Sequence, residues 1–167
     1  KGGSLYFPLL IMRLFMKNLK YCFSLFVYLL LFTQALSAEN SAIEWTDNIE
    51  LAQERAEREK KALVLFFTGS DWCPYCIKIE ANIFTKESFI EKVQDKLIFV
   101  ILDFPNKKKI SLSTRTQNQG LMQHYKVQGF PTLVIVNSQL EVLSVKGYEE
   151  ISPEAYADNL LKAAGIL

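Results

Sequence analysis

The chain has 167 residues, half of them apolar, with 19 Lys or Arg against 18 Asp or Glu, enough for one modest globular domain and an additional segment. All 18 acidic residues lie at or beyond Glu39, while Lys1, Arg13, Lys17 and Lys20 precede it, so the chain after residue 38 carries a net −3. That balance argues against a nucleic-acid-binding domain, and the one basic run, Lys107-Lys108-Lys109, reads as a solvated loop.

Met16-Lys-Asn-Leu-Lys20, the apolar run Tyr21–Phe32 and the small-residue stretch up to Ala38 form the three parts of a secretory signal peptide. Ala35 and Ser37 suit a cut before Ala38, and a cut after Ala38 is nearly as good. A membrane anchor is the alternative, but the run is shorter than the roughly 20 apolar residues a spanning helix needs. Residues 1–15 precede it as an N-terminal extension, and residues 39–167 are the expected folded domain.

Within that domain Ile43-Glu44-Trp45 is expected as a short edge strand, and Thr46 or Asp47 as the cap of a helix reaching about Lys60. Ala62–Phe67 is continuously apolar, as a strand buried on both faces would be. A helix opens at the cysteines and carries Ile77, Ile79, Ile83 and Phe84, and a shorter one covers Glu87–Lys96. Leu97–Leu102 is a second buried strand. The polar stretch Lys107–Asn118 is a long loop, or a loop leading into a helix that ends near Tyr125. Leu133–Val136 and Glu141–Lys146 read as a hairpin around Asn137-Ser138-Gln139. Ser152, followed by Pro153, caps a last helix that Gly165 ends. This order predicts an α/β domain whose mixed β-sheet has a parallel pair, an antiparallel hairpin and flanking helices.

Thr68-Gly69-Ser70-Asp71-Trp72-Cys73-Pro74-Tyr75-Cys76 lies at the first strand-to-helix junction. On the first helical turn two cysteines at this spacing can bond to each other, and the unpaired N–H groups there stabilise a thiolate at the first of them. Exposure and the helix N-terminus are expected to lower the Cys73 thiol below the ordinary value of about 8.5. Cys73 is then the nucleophile and the more buried Cys76 the resolving thiol. Cys22 lies in the N-terminal apolar segment, so this pair is the domain's whole complement, which is no disulfide scaffold. Half a zinc site is the alternative, but four ligands are needed and only His124 remains, expected on a helix surface. No metal and no cofactor beyond the redox-active pair is therefore expected.

The segment Phe67–Cys76, the helix after it and Val127-Gln128-Gly129-Phe130-Pro131-Thr132 together resemble the thioredoxin superfamily over most of Ile43–Leu161. The likeness is to its secreted bacterial disulfide oxidoreductases, the DsbH-type reductases and thioredoxin disulfide isomerases, and more distantly to the C-terminal domain of DsbD. It implies a thioredoxin-like fold with Pro131 as a cis-proline facing the cysteines. It also implies that Phe130 offers its backbone to an extended substrate segment. Trp72 would cover the site and meet the substrate, while Pro74 and Tyr75 would tune the pair. Glu80, four residues past Cys76, is a candidate acceptor for its proton, the alternative being a solvated glutamate. Thioredoxins usually carry an Asp where this chain has Phe67, and Trp45 is expected in the core.

The implied activity is reduction or isomerisation of disulfides in secreted proteins of the periplasm, by a monomer fed by a DsbD-like membrane electron donor. An oxidase that donates disulfides and a non-catalytic peptide-binding module are the alternatives.

Overall fold

The computed structural model describes residues 42–167. In chain order its elements are β1 (Trp45–Thr46), α1 (Ile49–Glu59), β2 (Ala62–Thr68), α2 (Pro74–Ile79), a π-helical turn (Glu80–Phe84) and α3 (Glu87–Val93). Then come β3 (Leu97–Asp103), α4 (Leu112–His124), β4 (Thr132–Val136), β5 (Val142–Lys146) and α5 (Pro153–Ala163). The expected signal segment, the extension before it and Cys22 lie outside the described residues.

The strands form one sheet in the order β1-β3-β2-β4-β5. β1, β3 and β2 run parallel, whereas β4 runs antiparallel to β2, and β5 to β4. The central strand is apolar throughout because both its faces are covered. Val64 and Phe66 pack with Ile79, Ile83, Phe89 and Tyr156 on one side. Leu63, Leu65 and Phe67 pack with Ile49, Ala52 and Ala56 of α1 on the other. Phe66 is fully buried between Trp45 and Phe84, their ring centroids at 5.7 and 5.2 Å, so Phe66→Ala would cost about 3–5 kcal/mol.

Several boundaries differ from the sequence reading for identifiable reasons. The cap of α1 is Asn48, whose side chain accepts from the Leu51 N–H at 3.1 Å, and not Thr46 or Asp47. Thr46 is held in β1 opposite Val100, which moves the helix start onward. The polar stretch is a loop only to Ile110. Ser111 then caps α4 through the Thr114 N–H at 3.0 Å. That helix buries only Asn118 completely, so it lacks the apolar stripe that would betray it. The helix after the cysteines is α-helical to Ile79 and π-helical beyond, with Thr85 N–H bonding to Glu80 O at 3.2 Å.

Candidate functional site

β2 ends at Thr68, and the chain turns at once: the Cys73 N–H donates to Gly69 O at 2.9 Å. Cys73 becomes the N-cap of α2, its Sγ accepting from the Cys76 N–H at 3.2 Å, and Pro74 takes the first helical position, where a missing N–H costs nothing. Cys73 and Cys76 are joined by a disulfide. Cys76 is fully buried, and Cys73 is only 4 % exposed, against the exposure its sequence position suggests.

Three side chains of the preceding loop tie it to the end of β3. Ser70 donates to the Asp103 carboxylate from its N–H (2.9 Å) and its hydroxyl (2.6 Å). The Asp71 carboxylate accepts from the N–H groups of Asn106, Lys107 and Lys108 at 2.9, 2.7 and 3.0 Å. These bonds, that of Asn106 foremost, hold the Asp71 carboxyl below its ordinary value of 3.8. Trp72 donates its indole N–H to Phe104 O at 2.8 Å. Sequence reasoning missed Asp103 altogether, because Asp-Phe-Pro-Asn signals a turn without saying what the carboxylate meets.

An aromatic wall rises beside the cysteines. Phe130 meets Trp72 edge-on at 5.9 Å and stacks on Phe104 at 5.1 Å. Trp72 nevertheless remains 43 % exposed. The Phe130–Pro131 peptide is cis. Tyr75 is exposed, with its ring 5.6 Å from Tyr148, and the Lys78 ammonium lies 5.1 Å from the Tyr148 centroid. His124 is exposed at the end of α4, and Trp45 packs against the core.

A family model for the thioredoxin-like domain matches residues 49–164. The chain belongs to the thioredoxin-like family. It is 35 % identical over 131 residues to the disulfide bond reductase DsbH of Chlamydia pneumoniae, covering 78 % of this chain and 77 % of that protein. A solved structure of a DsbH oxidoreductase matches with a TM-score of 0.71 at 34 % identity, over 75 % of this chain and 87 % of that one. The thiol:disulfide interchange protein DsbD of Campylobacter jejuni is 30 % identical over 130 residues, which span 76 % of this chain but only 20 % of DsbD. Family and bonded cysteine pair together make this chain a thiol–disulfide oxidoreductase.

At the β2 position where the resemblance to thioredoxins implies an Asp, Phe67 fills the core with its ring 6.5 Å from that of Tyr125. Glu80, four residues past Cys76, is on the other side of the sheet. Glu80 is half-buried at the start of the π turn, and its N–H donates to Cys76 O and Ile77 O. It lines an apolar cleft of about 340 Å³ with Trp45, Phe66, Phe84 and Ile101. One carboxyl oxygen, Oε1, is buried without a hydrogen-bond partner; Thr68 Oγ1, at the end of β2, is likewise buried and unpartnered. Burial first and Asp103 second push the Glu80 carboxyl above its ordinary 4.5, with Lys108 opposing. Glu80 is therefore no solvated helix glutamate. It is a carboxyl inclined to hold a proton one turn beyond Cys76, and a π turn is a frequent companion of functional residues.

Proposed function

We propose that the protein reduces or isomerises disulfides of secreted proteins in the periplasm, with a DsbD-like membrane protein returning electrons to Cys73 and Cys76. The observation that carries this reading is the bonded pair at the first turn of α2, with Cys73 as N-cap. Similarity to DsbH supports the reductive direction, and the signal-like segment at residues 16–38 supports export.

In the reduced protein the Cys73 thiolate attacks one sulfur of a substrate disulfide. The substrate S–S bond breaks, its leaving thiolate is protonated, and Cys73 is held in a mixed disulfide. Cys76 then loses its proton to Glu80 and attacks Cys73 Sγ, which releases the second substrate thiol. Two electrons pass from the pair to the substrate, whose two protons come from solvent and, by way of Glu80, from Cys76, and a dithiol donor must restore the pair. Trp72, Pro74 and Tyr75 bound the entrance, and the backbone at Phe130 and Pro131 receives the extended substrate.

Insulin reduction driven by dithiothreitol tests the chemistry. Turnover is expected and should vanish in Cys73→Ser, whereas Cys76→Ser should accumulate the mixed disulfide. Equilibration with glutathione tests the direction. A potential close to the roughly −270 mV of thioredoxin fits a reductase, and one close to the roughly −120 mV of DsbA overturns it.

A further inference from the structure

Trp72 lines an open pocket of about 470 Å³, which it shares with Phe104, Pro105, Ile110 and Arg115. Its wall is fixed by the Trp72–Phe104 hydrogen bond and by the ring of Phe130 stacked on Phe104. Trp72 is the immediate neighbour of Cys73, so a polypeptide whose disulfide is attacked there passes within a residue or two of this pocket.

The charges around the pocket are unbalanced. Asp103 lines it, but both its carboxylate oxygens are occupied by Ser70. Asp71 is consumed by three backbone N–H groups of the loop at its edge. Arg115 is exposed on the first turn of α4 and makes no ion pair among the described residues. Lys107, Lys108 and Lys109 are exposed on the adjoining loop. Asp71 and Asp103 keep their negative charges, and Lys108 also donates to Ser70 Oγ at 3.2 Å, but the four cations Arg115, Lys107, Lys108 and Lys109 outnumber these two carboxylates in a chain that is net −3 beyond residue 38.

We infer that this pocket is a substrate subsite for an acidic side chain on the segment next to the target disulfide, with Arg115 as the pairing group. The inference rests on the proposed attack of Cys73 on protein disulfides. Trp72, Phe104, Pro105 and Ile110 offer apolar surface to the stem of a Glu or Asp, and the guanidinium can take its carboxylate through two parallel hydrogen bonds. The surrounding lysines raise the encounter rate with an acidic segment, and salt screens that effect. A basic substrate meets repulsion at the same place.

The test uses pre-reduced protein and three disulfide-bridged peptides that differ only in having Glu, Ser or Lys on either side of one cysteine. The second-order rate constants are expected to fall in the order Glu, Ser, Lys, with about a five-fold or larger span between the ends at low salt. The span should close in about 1 M salt and collapse in Arg115→Glu, with Arg115→Gln between. Equal rates for the three peptides, or an undiminished Glu preference in Arg115→Glu, overturn the subsite but leave the reductase reading standing. Failure to reduce any of the peptides overturns both. If Arg115→Glu does not fold, the salt series on the unaltered protein decides alone.

Discussion

Trp72 donates its indole N–H to the carbonyl oxygen of Phe104 at 2.8 Å, joining the residue before Cys73 to the turn after β3. Gly69 makes that position available. A Cβ there would lie 2.5 Å from the indole Cε2, closer than any real contact. The atom in the way is a movable side chain rather than backbone, so Gly69→Ala should swing the indole off Phe104 and leave the fold intact. A red-shifted Trp emission with a nearly unchanged urea midpoint is expected. Insulin reduction should slow by about three- to ten-fold through loss of one edge-on ring contact and one hydrogen bond. Full activity in that variant would mean that the indole position is irrelevant to substrate.

Glu80 should leave a signature in the pH dependence of stability. Its folded carboxyl titrates above the ordinary 4.5 because of burial and then Asp103, so the folded chain holds this proton more tightly than the unfolded one. The group therefore costs stability as the pH rises through that window, and the full cost is present above the folded value. Glu80→Gln is expected to melt higher than the parent at pH 7 and to match it below about pH 4. It should also slow resolution of the mixed disulfide by up to about 10²-fold, the lower end of what a general base contributes. An unchanged resolution rate between pH 6 and 9 would remove Glu80 from proton transfer.

Asp71 titrates in the opposite direction. Its carboxyl is held below the ordinary 3.8, first by the Asn106 N–H and then by those of Lys107 and Lys108. Its contribution is present above 3.8 and is lost as the pH falls through the lower folded value. In Asp71→Ala the amides of Asn106, Lys107 and Lys108 should exchange faster with solvent at pH 6, while those of β2 stay protected. Unchanged exchange in this loop would show that the carboxylate is not what orders it.

Lys60 closes α1 in the left-handed region, at φ 54° and ψ 42°, with its N–H bonded to Ala56 O. An L side chain is disfavoured there and glycine is not. Lys60→Gly is expected to raise stability by about 0.5–1 kcal/mol, visible as a higher urea midpoint at constant slope. A lower midpoint would show that the lysine stem contributes more by packing than its backbone strain costs.

Much of this protein is legible along the chain because the determining interactions are local. The apolar run of β2, the Ser152–Pro153 start of α5 and the cysteine spacing at the strand-to-helix junction each express a periodicity or a cap spanning a few residues. Those signals were enough for the fold class and the identity of the redox pair, and the family followed from the resemblance carried by Phe67–Cys76 and Val127–Thr132. Periodicity was silent on α4, since a polar helix buried at little more than Asn118 has no apolar stripe to read.

The surroundings of the pair depend on contacts between residues far apart in sequence, and sheet order decides those. Trp72, Phe104 and Phe130 meet because β3 and β4 flank β2 on opposite sides and deliver their neighbouring loops to the same end of the sheet. The same placement gives Ser70 to Asp103 and Asp71 to the next loop, so two carboxylates that look alike in sequence are both spent on structure. Glu80 differs because the π turn sets it in an apolar cleft with an unpaired oxygen. Residue type supplied the carboxyl in all three, but only the tertiary environment decided that Asp71 titrates below its ordinary value and Glu80 above its own, since burial and hydrogen bonding set the cost of ionising each of these two.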